Sequence, residues 1–329
     1  MKADPIKIAK ISVGAVAAAA VGYALGLQYA VSAGIICLLT IQDTRKETLK
    51  ITLKRLGAFC SGAALSFIIF GIFGFGFLQL GAVLALFLTF CGVLDMGEAV
   101  AMNSVIITHY FASKEISLPM LGNEALLLFI GAGTGVILNI FMPSNRGKIR
   151  EIQRETDERI RRIIGRMSVY ILAEDKSDYT GSCFEETDRL LDELKREAVK
   201  YIGNSFVSEK DYFYKYVGMR MEQCVILMRI FTDIKRLDSV TRQAEPISRF
   251  LEKTSAEFSE INDAVTLLAD LEGLFEHYSE EELPRSRDEF ENRALLYHIL
   301  YDLKGFVTLK ADFAAALDES EKQRYWAAK

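Results

Sequence analysis

The sequence predicts an all-α protein in two parts: a six-helix transmembrane domain over residues 1–143 and a cytoplasmic helical bundle over residues 144–329. Three observations predict it. Residues 1–143 carry only 9 Lys/Arg and 7 Asp/Glu, whereas the rest of the 329-residue chain carries 30 basic and 37 acidic residues. The 32 positions from Ile11 to Gln42 hold no charge at all, well beyond the roughly 18 that suggest a membrane span. In the second part, apolar residues recur at a spacing of three and four, and strand signals are absent. Lys2, Lys7 and Lys10 ahead of an apolar run also fit a secretory leader. Three further apolar stretches follow, however, which a removed leader does not explain.

As one helix the first run would be roughly 48 Å long, against a hydrocarbon core of about 30 Å. "GLQY", Gly26 to Tyr29, is the natural break, and it predicts a first helix near 7–26 and a second, short one near 29–42. Asp43 to Arg55 holds five basic and two acidic residues, and its Leu49, Ile51 and Leu53 suit an interfacial helix. Residues 56–76 form the third pass. Its closing "GIFGFG" lacks the Lys-Ser/Thr pair of a phosphate loop and reads as an exit turn. Phe77 to Phe111 is again too long for one pass, so two are expected, with a turn at "LDMGE". There Asp95 and Glu98 reach the headgroup region instead of costing about 2.5–3.5 kcal/mol each at the bilayer centre. The sixth pass is Gly122 to Met142, closed by Pro143.

Basic segments set the sides. With the N-terminus inside, Asp43–Arg55, "DMGE" and Asn145–Arg166 (eight basic, four acidic) all fall on the cytoplasmic face, as the positive-inside rule requires. "ASKEISLPML" falls outside. Six passes divide into two sets of three, inverted in the membrane, and the middle helix of each set, 29–42 and about 99–112, is expected to be short. Matching short segments in inverted halves point to a midplane site. "RLGAFCSGAALSF" and "LFIGAGTGVILNI" open the third and sixth passes with small residues. Gly22, Gly26, Gly57, Gly62, Gly131 and Gly135 are therefore expected to pack helices closely, two pairs of them as GxxxG. Polar residues at membrane depth are functional candidates by default: Gln42, Arg55, Asp95, Glu98, Asn103, Thr108, His109 and Asn139. His109 carries the one imidazole at this depth, a group suited to a proton-coupled step. Arg55 shares the cytoplasmic level with Asp95 and Glu98, so an ion pair is expected there.

The block "TIQDTRKETLKITLKRLGAFCSGA", Thr40 to Ala63, and "GAGTGVILNIFMP", Gly131 to Pro143, resemble the aromatic acid exporter family of bacterial membrane transporters, within the fusaric-acid-resistance group. The resemblance covers essentially the whole chain and is nearest the Gram-positive branch with a C-terminal helical domain. It implies a multi-pass bacterial cell-membrane protein that exports small aromatic carboxylates using an ion gradient. The competing expectation is a membrane-anchored sensor or scaffold whose cytoplasmic domain binds a ligand or partner.

The second part predicts helices over about 145–170, 190–202, 209–238, Pro246–Tyr278 and Ser286–Leu317, broken at "EDKSDYTGS" and "YSEEELPRS". His277 beside Glu280, Glu281 and Glu282 is a solvated helix end and not a metal cage, and no metal ligand set is expected. The five cysteines form no CxxC pair and read as small apolar residues. No nucleophile–base constellation, Walker motif or nucleotide fingerprint is present, so neither an enzyme nor a cofactor is expected. Nucleic acid is not an expected partner either, because acidic residues outnumber basic ones. The partners expected are a small organic anion, anionic lipid at the cytoplasmic face, and further copies of the chain in a homo-oligomer.

Overall fold

The computed structural model describes residues 5–141, 145–204 and 211–327, and among these it contains thirteen helices and no strand. They fall into two compact units. One holds residues 5–141 with 203–204, and the other holds 145–202 and 211–327.

In the first unit α1 (Pro5–Ala24) ends where Gly26 adopts φ 70°, and Leu27 N donates back to Gly22 O at 3.1 Å. This is a Schellman close, which a residue without a β-carbon adopts at least cost. The next helix, α2, is Val31–Thr40, only ten residues. Thr44 caps α3 (Arg45–Phe73) by accepting from Glu47 N at 3.3 Å. The basic segment is therefore the first three turns of one 29-residue helix and not a separate interfacial helix, because nothing breaks the backbone before Gly74. α4 (Phe77–Val93) and α5 (Gly97–Ser113) are separated by the expected turn, in which Asp95 takes φ 52° and Met96 N reaches back to Cys91 O at 2.8 Å. α6 (Leu118–Ile140) starts four residues before the expected Gly122, since Ser117 caps it and Pro119 fits its first turn. Pro143 lies outside the described residues.

Among the described residues, only α3 and α6 are both long and apolar enough to cross a membrane by themselves; Ile8–Ala24, Val31–Thr40 and Phe77–Val93 are apolar but shorter. α5, at 17 residues, matches α4 and is not a short counterpart of α2. Packing within the unit has a regular pattern. α1 lies on α2 and α6, and α4 lies on α5 and α3. α2 lies on α6, α5 on α3, and α3 on α6. Exchanging each of α1–α3 with the corresponding member of α4–α6 leaves these pairs unchanged, while a smaller α2–α3 contact has no comparable counterpart between α5 and α6.

The glycines explain how α2 is held. A β-carbon on Gly131 would come within 2.5 Å of Ala33 O, and one on Gly135 within 2.9 Å of Thr40 Cβ. Gly34, which the sequence reading passed over, sits equally tightly against Ala15 O. Gly22 lies near Ala30 and Gly62 near Ile107 and Phe87. Gly57 has only Met96 in ordinary contact, while Gly26 meets nothing within 4 Å and serves the turn.

The second unit is built on α7 (Arg146–Tyr170), α8 (Ser182–Gly203), α9 (Tyr212–Arg236) and α12 (Arg287–Ala315), with α9 packed along α12 and α7 along α10. The single helix expected over Pro246–Tyr278 is two, α10 (Ala244–Ala256) and α11 (Val265–Ser279). Asn262 accepts from Ala264 N and donates to Glu257 O, Asp263 accepts from Val265 N, and Ala264 takes φ 65°. Short polar side chains here bond the backbone that a continuous helix would have used. A last helix that the periodicity missed, α13 (Glu319–Tyr325), begins with a capping box formed by Asp318 and Glu321.

Candidate functional site

Two polar clusters lie at opposite ends of the first unit, and α2 touches both. At its C-terminal end Arg55 is buried on α3. Its guanidinium donates to Thr40 Oγ1 at 3.0 Å, to Leu39 O at 2.9 Å and to Glu98 O at 3.4 Å. Leu39 O also accepts from the Gln42 side chain at 2.9 Å. Asn139, buried at the end of α6, donates to Gln42 O and to the Thr48 hydroxyl. Asn103 on α5 donates to Arg55 O at 3.3 Å. The Oδ1 atoms of Asn103 and Asn139 are buried without a hydrogen-bond partner in the protein.

The expected Arg55–carboxylate pair does not form. Lys54, the neighbouring residue, takes both acids, with its Nζ 3.3 Å from Asp95 Oδ2 and 3.3 Å from Glu98 Oε2. The longer reach of Lys54 along the exposed side of α3 satisfies them at the rim, and the Asp95 side chain is fully exposed. Arg55 is left as a buried cation facing carbonyls and hydroxyls.

The second cluster surrounds His109. Its Nδ1 lies 2.9 Å from Glu124 Oε2, its Nε2 lies 3.3 Å from Ser32 Oγ, and the Tyr29 ring stacks on it at 4.1 Å between centroids. Glu124 is completely buried on α6, and Asn123 donates to its other oxygen at 3.1 Å. Asn123 also bonds both backbone groups of Gln28, which ties the α1–α2 turn to α6. The Tyr110 hydroxyl is buried and has no partner.

The structure thus gathers Gln42, Arg55, Asn103 and Asn139 at one end and places His109 at the other. Asp95 and Glu98 stand on the rim. Thr108 belongs to neither cluster, because it is exposed on the far side of α5 and bonds only Val105 O. Sequence reading missed Thr40, Thr48, Ser32 and, above all, Glu124. With the sixth pass starting at Gly122, Glu124 looks like an end residue. The available signal was that it is the only carboxylate inside that apolar run.

The second unit has a polar interior of a different kind. Arg220, 1% exposed, donates to Asp157 at 3.0 Å, to the Tyr216 hydroxyl at 2.8 and 3.0 Å and to Gln223 at 2.7 Å, and lies 4.2 Å over Phe258. Burial opposes its charge, but Asp157 and Tyr216 more than offset this and hold the guanidinium above its ordinary value. Lys310 donates to Glu260 O, and burial, helped by the positive charge of Arg220, pushes its pKa down from 10.5 to about 7. A cleft of about 690 Å³ lies alongside, lined by Arg150, Arg154, Asp157, Phe258 and Glu260 among others. His277 is an exposed helix-end residue 3.8 Å from Glu281, while His298 pairs with Asp233 at 2.5 Å. Among the described residues no group of three His, Cys, Asp or Glu is placed to hold a metal ion.

Comparison with known proteins covers nearly the full length. The model of aromatic acid exporter family member 1 matches residues 4–142, and that of the aromatic acid exporter C-terminal domain matches residues 146–311. Uncharacterized protein YqjA of Bacillus subtilis (strain 168) is 29% identical over 304 residues, which cover 92% of this chain and 94% of YqjA. A crystal structure from Clostridium difficile 630, described as that of a membrane protein, is 26% identical, covers 51% of this chain and 99% of its own, and has a TM-score of 0.45. Two family models in tandem, in the order the two units follow, leave one conclusion: the chain belongs to the aromatic acid exporter family.

Proposed function

We propose that the first unit is a six-pass transporter domain that exports small aromatic carboxylates down an ion gradient's driving force, with both its ends in the cytoplasm and the second unit as a cytoplasmic bundle. One observation carries the reading: Arg55 is a guanidinium buried among apolar helices with no carboxylate bound to it. A buried cation is costly unless paired, and an incoming carboxylate supplies the missing pair in bidentate geometry. The unpartnered oxygens of Asn103 and Asn139 offer acceptors to hydroxyl groups on the same substrate.

Two further features support it. The main packing pairs of α1–α3 recur in α4–α6, as two inverted sets of three would require. The ten residues of α2 span about 15 Å, half the hydrocarbon core. A broken segment of this kind is tolerated at membrane depth where protein encloses it, and close contact with α1 and α6 does so here.

The test is efflux of radiolabelled benzoate-type acids from cells expressing wild-type or Arg55→Met protein at matched levels. Wild type should lower retained label, and Arg55→Met should behave as empty vector. Equal retention across a panel of acids would overturn the transporter reading. Single cysteines at Glu98 and Asn145 should be shielded from an impermeant thiol reagent and one at Ser117 should react; labelling at Asn145 would overturn the six-pass arrangement.

A further inference from the structure

We propose that His109 and Glu124 form the site that binds and releases the transported proton, and that α2 links this site mechanically to Arg55. The inference rests on the transporter reading above and names its coupling ion.

The geometry is that of an enclosed acid–imidazole pair. Glu124 has no exposed surface, yet it sits in a region with few charges to balance it. Its oxygens meet only His109 Nδ1 and the Asn123 amide. α6 contributes Glu124 and Asn123, the turn before α2 contributes Tyr29, α2 contributes Ser32, and α5 adds Tyr110. α1 beyond Lys10, α3 beyond Arg55 and the whole of α4 contain no Asp, Glu, Lys, Arg or His. Lys114 and Glu115, in the connection between α5 and α6, are the charged groups nearest in sequence on this side, and Glu115 is bound by Ser117 and not by the pair.

With one proton between them the two groups are neutral overall, which is the state an apolar surrounding favours. Gain of a second proton or loss of the first leaves a net charge, and that state is stable only when water reaches the pair from one side. The pair therefore exchanges protons when its end of the unit opens and holds its proton when it closes. Tyr29 is the exit-side cover. It is stacked on the imidazole and remains 37% exposed.

The link to the anion runs through α2. Ser32, near its start, touches His109, and Thr40, at its end, touches Arg55. Eight residues of helix place the two contacts about 12 Å apart. A rigid helix this short, packed by Gly34, Gly131 and Gly135, moves as one piece, so displacement at one end is felt at the other. That supplies the two-state element which coupling between sites requires.

The decisive experiment compares two modes of transport in proteoliposomes. Exchange of labelled for unlabelled acid moves no net proton, whereas accumulation driven by an imposed pH gradient does. Glu124→Gln and His109→Asn should lose gradient-driven accumulation tenfold or more relative to their own rates of exchange. A Glu124→Gln protein that accumulates acid like wild type would overturn the proposal. A separate arm needs neither substrate nor a variant of the pair: the His277→Gln, His298→Gln protein retains His109 as its one imidazole and is labelled with ring ¹⁵N. Its resonance should move as the pH is varied across the range in which the protein stays folded, and a resonance fixed throughout would also overturn the proposal. If no acid is transported at all, the transporter reading fails, and the resonance alone decides whether the pair takes up a proton.

Discussion

Each unit buries one arginine, and the two are treated in opposite ways. Arg220 is bound by a carboxylate, a phenol and an amide, with an aromatic ring stacked over it. Arg55 is equally enclosed yet meets two backbone carbonyls and a threonine hydroxyl. A buried guanidinium whose counter-charge is built in stabilises a fold by holding three elements in register. One with no carboxylate bound to it is the feature on which the proposed anion site rests. The difference lies in the partners and not in the residue type or its low exposure.

The largest effect should come from breaking the built-in pair. Arg220→Met leaves Asp157 without its partner beside a buried tyrosine, and removal of one member of a buried pair costs about 3–5 kcal/mol. Asp157 is 16% exposed, so water recovers part of this. Trp326, the only tryptophan, donates to Tyr212 in the same unit and reports its unfolding by fluorescence. Urea midpoints for Arg220→Met and wild type in detergent measure the loss. An unchanged midpoint would show that Asp157 is satisfied without the arginine.

The second effect concerns Arg55. Arg55→Met should weaken binding of benzoate by tenfold or more, equivalent to about 1.4 kcal/mol, while leaving the melting temperature of the detergent-solubilised protein in place. Arg55→Lys should recover only part of the affinity, since an ammonium lacks the planar fork that matches a carboxylate. Calorimetric titration of the detergent-solubilised variants tests both. A loss of stability as large as that of Arg220→Met would mean the two arginines are not different in kind.

What was legible in the sequence follows from which forces act locally. Chain breaks at Gly26, Asp95 and Gly74 are set by turn chemistry within a few residues, and the apolar runs between them are set by composition. Arg55 and His109 stand out because charge is rare around them. Partner choice was not legible. Arg55 and Lys54 are neighbours, and which of them reaches Glu98 depends on the rotation of α3 against α5, a tertiary quantity. Glu124 was missed for a similar reason, because the start of α6 is fixed by Ser117 and Pro119 in a loop that reads as polar linker. In the second unit, the split between α10 and α11 depended on Asn262 and Asp263 capturing the backbone, a competition that helical periodicity does not register.

A smaller effect sharpens the account of the Arg220 neighbourhood. Lys310 has a folded-state pKa of about 7 against 10.5 when unfolded. Between these values the unfolded chain binds more protons, so this residue makes stability rise with pH from about 7 upward, by at most about 1.4 kcal/mol per unit. Below pH 7 both states are protonated and the slope vanishes. Lys310→Met should remove that slope between about pH 7 and 9 and raise stability at neutral pH. Urea midpoints at several pH values test this, and an identical slope in the variant would assign the dependence to another group.

The smallest effect is expected at the rim. Glu98→Gln removes a carboxylate that Lys54 holds at 3.3 Å, but Asp95 lies at the same distance from the same ammonium and remains. Both acids are open to solvent, and exposed pairs of this kind contribute little. The hydrogen bonds from Arg55 to Glu98 go to its backbone carbonyl, at 3.4 Å, and glutamine keeps that group. Efflux should therefore stay within about twofold of wild type, with no shift in melting temperature. The result bears directly on the comparison of the two arginines. If Glu98→Gln abolished efflux while expression held, the carboxylate would be serving Arg55 in some stage of the cycle, and the guanidinium would have a built-in partner after all. A silent Glu98→Gln beside an inactive Arg55→Met leaves the substrate as the only carboxylate that Arg55 binds.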